Sequence, residues 1–239
     1  MKIKILILLF LSILFLQTCA EVKVASVASK DQKTDYNGAI VSEKKHVVSV
    51  SYYEEIDMHE SYHKEIALSD FYFNKSAMCE GKTMFRIVIV NRGKEKIKIS
   101  RENISVIFNG KSEAWKNKKI EIQSLDDFIY DLDKNFFYNE NRSIYNVIKK
   151  YENKIPGDFE RILKLLNNGI EAGRKQFKQL IISVKKIYLE CQTIIPGSVY
   201  NGVIACDTGE MTKKITGKFQ VVILIDGEEY EFMFLRILE

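Results

Sequence analysis

Two prolines and three histidines are all that 239 residues contain, and the patterns missing from this chain narrow its chemistry. Neither proline lies in a low-complexity tract, and no period of 20 to 50 residues marks a repeat architecture. No P-loop, nucleophile elbow or dinucleotide fingerprint is present, so the common phosphate, acyl-transfer and nicotinamide chemistries have no signature. The four cysteines, Cys19, Cys79, Cys191 and Cys206, form no CxxC and no zinc-ribbon spacing. No basic stripe with interleaved aromatics suggests a nucleic-acid surface. No apolar run is long enough to span a bilayer as a helix.

What is present begins with the first twenty residues. Lys2 and Lys4 precede an apolar run, Ile5 to Leu16, broken only by Ser12. That layout is a secretory signal. Leu16-Gln17-Thr18-Cys19 resembles a bacterial lipobox, in which Cys19 becomes the lipidated first residue. Thr18-Cys19-Ala20 also fits ordinary cleavage after Ala20. Lipidation at Cys19 is the expectation carried forward, and it makes the membrane a partner through an N-terminal lipid anchor. Lys plus Arg is 36 against 32 acids; two of those lysines belong to the signal, so much of the basicity leaves with it.

Strand signals dominate from residue 21 to 123. His46 to Tyr53 alternates loosely, with His46 read as a surface residue at a strand edge. In Lys82 to Gly93, Phe85, Ile87 and Ile89 face one way and Asn91-Arg92-Gly93 turns the chain. Ile97 and Ile99, then Ile104, Val106 and Phe108, then Ile120 and Ile122 add short strands, with Asn109-Gly110 as a further turn. At Ser124 the period changes. Ser124 with Asp127 reads as a helix cap, and Leu125, Phe128, Ile129, Leu132 and Phe136 recur at helical spacing. Ser143 opens a second helical piece, and Pro156 starts a third with Phe159, Ile162, Leu163, Leu166 and Ile170 on one face. Thr193 to Phe234 then reads as a three-stranded unit. Pro196-Gly197 ends one strand, and Gly202, Ile204 and Cys206 share a face of the next. Asp226-Gly227 joins a hairpin of Phe219, Val221, Ile223 and Ile225 with Tyr230, Phe232 and Phe234. The expected fold is therefore mainly β with an α insertion. In detail it is an immunoglobulin-like β-sandwich: 1–20 signal, 21–123 first strands, 124–184 helical insertion, 185–239 last strands.

The stretches FRIVIVNRGKEKIKI, FNGK, KIEIQSLDDFIYDL, IIPGSVYNGVIACD and KFQVVILIDGEEYEF resemble uncharacterised bacterial envelope proteins with an immunoglobulin-like sandwich and a strand-and-helix insertion. The matching residues are Asn91, Gly93, Gly110, Pro196, Gly197, Gly202 and the Asp226-Gly227 turn. The resemblance implies a fold and an address, and brings no catalytic residue and no ligand.

One constellation spells chemistry. His59-Glu60-Ser61-Tyr62-His63 is HExxH, which on a helix puts two imidazoles on one face for zinc and a general base beside its water. Tyr62 and Ser61 fit that helix poorly, and no third ligand follows at the usual spacing. The acids Asp126, Asp127, Asp131 and Asp133 lack the Gly and terminal Glu of a calcium loop and read as a solvated helix face. The sequons at Asn74, Asn103 and Asn141 are read as chance. Tyr200 is placed for a tyrosine-corner hydrogen bond. Cys191 and Cys206 are expected either to bridge the two sheets around the Pro196-Gly197 turn, or to be reduced and buried as small apolar residues.

These readings converge on a non-enzymatic cell-envelope lipoprotein, an Ig-like binding or scaffolding module with no cofactor and no metal. It is expected at the outer membrane, periplasmic or surface-exposed, with an envelope protein partner and no nucleic acid. Soluble periplasmic or secreted is the alternative address, and a metal-dependent hydrolase using His59, Glu60 and His63 is the alternative function.

Overall fold

The computed structural model describes residues 22–35, 38–52, 81–151, 156–209 and 215–238. Its elements are β1 (Val22–Val27), β2 (Gln32–Thr34), β3 (Ile40–Glu43), β4 (Val47–Tyr52), β5 (Lys82–Val90), β6 (Ile97–Ser100), β7 (Ile104–Gly110) and β8 (Lys118–Ile120). There follow helices α1 (Leu125–Tyr151) and α2 (Pro156–Ile187), then β9 (Cys191–Ile194), β10 (Val199–Asp207), β11 (Gly217–Ile225) and β12 (Glu228–Leu238). The chain is mainly β with two helices. One five-stranded sheet runs β1-β12-β11-β7-β8, a second β10-β5-β4-β3-β2, and β6 pairs with β9 in a third. The pairs within all three are antiparallel.

Alternation along each strand builds the core. Because successive side chains point to opposite faces, Phe85, Ile87 and Ile89 of β5 turn inward together with Val48 and Val50 of β4. They meet Phe219, Val221 and Ile223 of β11 and Tyr230, Phe232 and Phe234 of β12. The two five-stranded sheets touch through aromatic rings: Phe85 lies 5.8 Å edge-on from Phe219 and 5.2 Å from Phe234. Each fully buried side chain of this size contributes about 1.5–3 kcal/mol of transfer free energy. The β11–β12 hairpin turns on Asp226 (φ 52°) and Gly227 (φ 79°), the positive pair that matches the twist of the flanking strands.

From Gly202 to Cys206, β10 is buried on both faces. Ile204 and Cys206 point into the shared core, whereas Val203 and Ala205 point outward and join Met84 of β5 beneath the helices. β10 is also an edge strand, and the legs of the helical insertion cover that edge. The Gln123 N–H donates to Ala205 O, Asp207 N–H to Glu121 O and Leu189 N–H to Val203 O, each at 2.9 Å. Paired in this way, the edge from Val203 to Asp207 is closed to another chain.

Several local expectations change. The helical segment is two helices rather than three, since Ser143 lies inside α1 and α2 runs unbroken through Gly169 and Gly173. Asn109 and Gly110 are not a turn; they pair with Lys218 and Gly217 at the end of β7. There a β-carbon on Gly110 would come within 2.8 Å of Trp115. The three-stranded C-terminal unit is divided, with β10 in one sheet and the β11–β12 hairpin in the other. Among the described residues no helix is long and apolar enough to cross a membrane.

Candidate functional site

Cys19, Cys79 and the His59, Glu60, His63 motif lie outside the described residues. The Cys191–Cys206 bridge is corrected: both are free thiols, Cys191 exposed and Cys206 buried. The reason is register. Leu189 and Ile194 turn into the core while Cys191, Gln192 and Thr193 face outward. β9 pairs with β6, so Cys191 sits opposite Ser100, while Cys206 sits opposite Thr83 on β5. Burial pushes the Cys206 thiol far above its ordinary pKa, which makes it unreactive.

His46 is fully buried rather than at the surface. The turn from β3 to β4 carries it against the tip of the β11–β12 hairpin, where its Nε2 lies 3.3 Å from Asp226 Oδ2. Lys45 Nζ reaches the same oxygen at 3.0 Å. The His46 backbone N–H donates to the Tyr230 hydroxyl (3.0 Å), which donates in turn to Glu228 Oε2 (2.9 Å). Lys45 first, and His46 with it, holds the Asp226 carboxyl below its ordinary range against a smaller opposing effect of burial. Burial pushes the Tyr230 phenol up to about 12. An imidazole oriented by a carboxylate is an element of acid–base catalysis. Here its other nitrogen, Nδ1, is enclosed and unpaired among the described residues. The cluster clamps one end of the two sheets together.

A second polar cluster joins the helices to the sheet. Lys82, at the start of β5, is nearly buried and places its Nζ 2.6 Å from Asp131 of α1 and 3.3 Å from Asp207 of β10. Gln123 Nε2 donates to the same oxygen, Asp131 Oδ2, at 2.8 Å. Burial alone works to raise the Asp131 pKa, but the Lys82 and Gln123 hydrogen bonds outweigh it and hold the carboxylate below its usual range. Of the acid cluster, Asp131 is thus a structural anchor. Asp127 closes the cap, its N–H donating to Ser124 Oγ at 3.0 Å. No group of metal-binding side chains is assembled among the described residues.

Tyr188, which helical spacing alone did not single out, completes the junction. Its hydroxyl donates to Gln123 O (2.9 Å) and accepts from the Ala205 N–H (3.2 Å), and its ring stacks on Phe128 at 5.4 Å. Tyr200, by contrast, forms no corner: its buried hydroxyl has no partner among the described residues, and burial pushes its phenol up to about 12.

Beyond this root the helices pair with each other. Phe136 stacks on Phe177, centroids 4.3 Å apart and planes 12° from parallel. One step further, Arg174 forks onto the buried Glu140 carboxylate at 2.9 and 3.1 Å. α1 is about 40 Å long and α2 about 48 Å. Their outer surfaces leave Tyr130, Phe137, Tyr138, Tyr145, Ile148 and Leu165 exposed. Among the described residues, these exposed side chains of the helical hairpin are not explained by core packing. No protein-family model, curated protein or solved structure matches the chain.

Proposed function

We propose that the chain is a non-enzymatic cell-envelope lipoprotein, anchored through Cys19, with an immunoglobulin-like sandwich that carries a helical hairpin as its binding or scaffolding element. The observation behind this reading is the hairpin itself. Its root is fixed by Lys82, Asp131 and Tyr188 on the outer face of a sheet, while its flanks expose Tyr130 at 69% and Tyr145 at 63%. Large aromatics left in water on a rigid support mark an interaction surface. The sheets supply a stiff base, the Lys82 ion pair holds the hairpin to it, and the Arg174–Glu140 pair holds the two helices to each other.

Fractionation of cells carrying the full chain tests the address. Wild type is expected with the membranes and labelled by an acyl precursor, and Cys19→Ser is expected in the soluble fraction without label. A wild type that is unlabelled, soluble and begins at Glu21 overturns the anchor. Metal analysis of protein prepared without chelator tests the hydrolase alternative. One tightly bound zinc per chain, lost in His59→Ala, overturns the non-enzymatic reading.

A further inference from the structure

The helical hairpin leaves the sheets at the end where β1 begins. The His46–Asp226 contact joins the start of β4 to the β11–β12 turn. The opposite ends of the two five-stranded sheets also lie together, since Phe85 near the start of β5 touches Phe234 near the end of β12. That opposite end carries Lys82 paired with Asp207 in one sheet, and Val22 paired with Leu238 in the other. α1 starts with the Leu125 N–H donating to Glu190 Oε1, beside Leu189 and its bond to Val203. It reaches Lys82 and, through it, Asp207 with Asp131. The helix therefore advances along β10 toward the β1 end, and about 30 Å of it follows Asp131.

Past Phe136 the hairpin is cationic. Between Phe136 and Phe177 the chain has eight lysines and arginines against five acids, while Asp126, Asp127, Asp131 and Asp133 gather at the root. Tyr138, Arg142, Tyr145 and Lys149, dispersed in the linear sequence, fall on one flank of α1, within about 60° of one another about its axis. All four are exposed, and Lys149 Nζ lies 6.0 Å from the centre of the Tyr145 ring. From Tyr138 to Lys150 the one acid of α1 is Glu140, which faces the other way and is closed by Arg174.

We infer that this flank lies on an anionic bilayer surface, with the tyrosines among the lipid headgroups and Arg142 and Lys149 against their phosphates. Tyrosine at headgroup level with lysine or arginine beside it is the chemistry of that boundary, and each cation adds attraction to anionic lipid. The tether favours the flank over the tip. From Cys19 to Val22 the chain reaches at most about 11 Å, well short of the ~30 Å of helix beyond Asp131. An upright hairpin would hold β1 beyond the anchor's reach, so anchoring lays the hairpin down along the bilayer. The inference deepens the reading of an anchored chain with a binding hairpin, and it rests on that reading.

The test uses the full chain in a Cys79→Ser, Cys191→Ser background. An environment-sensitive dye is attached at Asn141→Cys, beside the strip, or at Val199→Cys, at the opposite end of the sheets. The protein is bound to vesicles of phosphatidylcholine mixed with phosphatidylglycerol that carry a headgroup spin label as quencher. Quenching is expected at 141 and not at 199, and high salt or omission of phosphatidylglycerol should abolish it. Arg142→Glu/Lys149→Glu changes two exposed positions and is expected to lose the quenching with its circular dichroism unchanged. Acyl labelling of the same preparations separates the two readings. A labelled chain without quenching at 141, or with quenching that survives the double reversal, overturns the inference and leaves the anchor standing. A chain without label overturns the anchor; salt-sensitive quenching at 141 in that chain supports the flank on charge alone, and its absence overturns both. A dye at 141 shielded equally with and without vesicles assigns the flank to a second copy and overturns the inference.

Discussion

The Tyr200 ring lies over Gly202, with its hydroxyl 2.0 Å from the point where a β-carbon on that glycine would stand. The aromatic fills the space that the missing side chain leaves on the inner face of β10, one residue before Val203 turns outward beneath the helices. Gly202→Ala forces the ring out of its site. It is expected to destabilise the protein by about 2 kcal/mol. In a Tyr200→Ala background the same substitution should cost almost nothing, and denaturant titration of the four-variant cycle measures that coupling. Additive losses would show that the ring does not hold the glycine in place. Tyr200→Phe removes a buried hydroxyl that has no partner among the described residues and is expected to leave stability unchanged or raise it by up to about 1 kcal/mol.

Lys82 stands between Asp131 and Asp207, and its loss leaves two carboxylates facing each other at the helix root. Because both keep some access to water, Lys82→Met is expected to cost about 1–2 kcal/mol at neutral pH. The Asp131 pKa is lowered in the folded state. Its contribution is therefore present above the unfolded value of about 3.9 and is lost as pH falls through the folded one. Urea midpoints of wild type should drop between pH 5 and pH 2, and Lys82→Met should show a smaller drop. An equal drop in both proteins would remove Lys82 from the account.

The two described thiols differ in access. Brief alkylation of the native protein should modify the Cys191 peptide and spare Cys206, which reacts only after denaturation. A linked Cys191–Cys206 peptide in a non-reducing digest would contradict the register that turns Cys191 outward.

Phe136 and Phe177 join the hairpin above its root. Phe136→Ala is expected to cost about 3 kcal/mol, concentrated in the helices. Amide exchange should accelerate in α1 and α2 far more than in β5 or β11. Uniform acceleration would mean that the helices and sheets unfold as one unit.

Strand periodicity was legible in residues such as Phe85, Ile87, Ile89, Phe219, Val221 and Ile223, because a period of two is written in consecutive side chains. The same holds for the Asp226-Gly227 turn, where both residues take the positive φ that their types permit. Ser124 announced the start of α1, and the apolar stripe from Leu125 to Phe136 announced the helix, since caps and helical faces are local. Three-dimensional neighbours were not legible. His46 reads as a polar residue at a strand edge, and only the hairpin tip from Asp226 to Tyr230, distant in the chain, encloses it. Lys82 looks like one solvated lysine among many until Asp131 and Asp207 arrive from two other elements. Cys191 and Cys206 seemed equally placed around one turn, yet pairing with β6 sends the first outward while the core takes the second. Local sequence determined which segments are strands and helices and where they turn. The assignment of strands to sheets and the burial of each polar group were decided by long-range packing, because those contacts join residues that the chain itself keeps far apart.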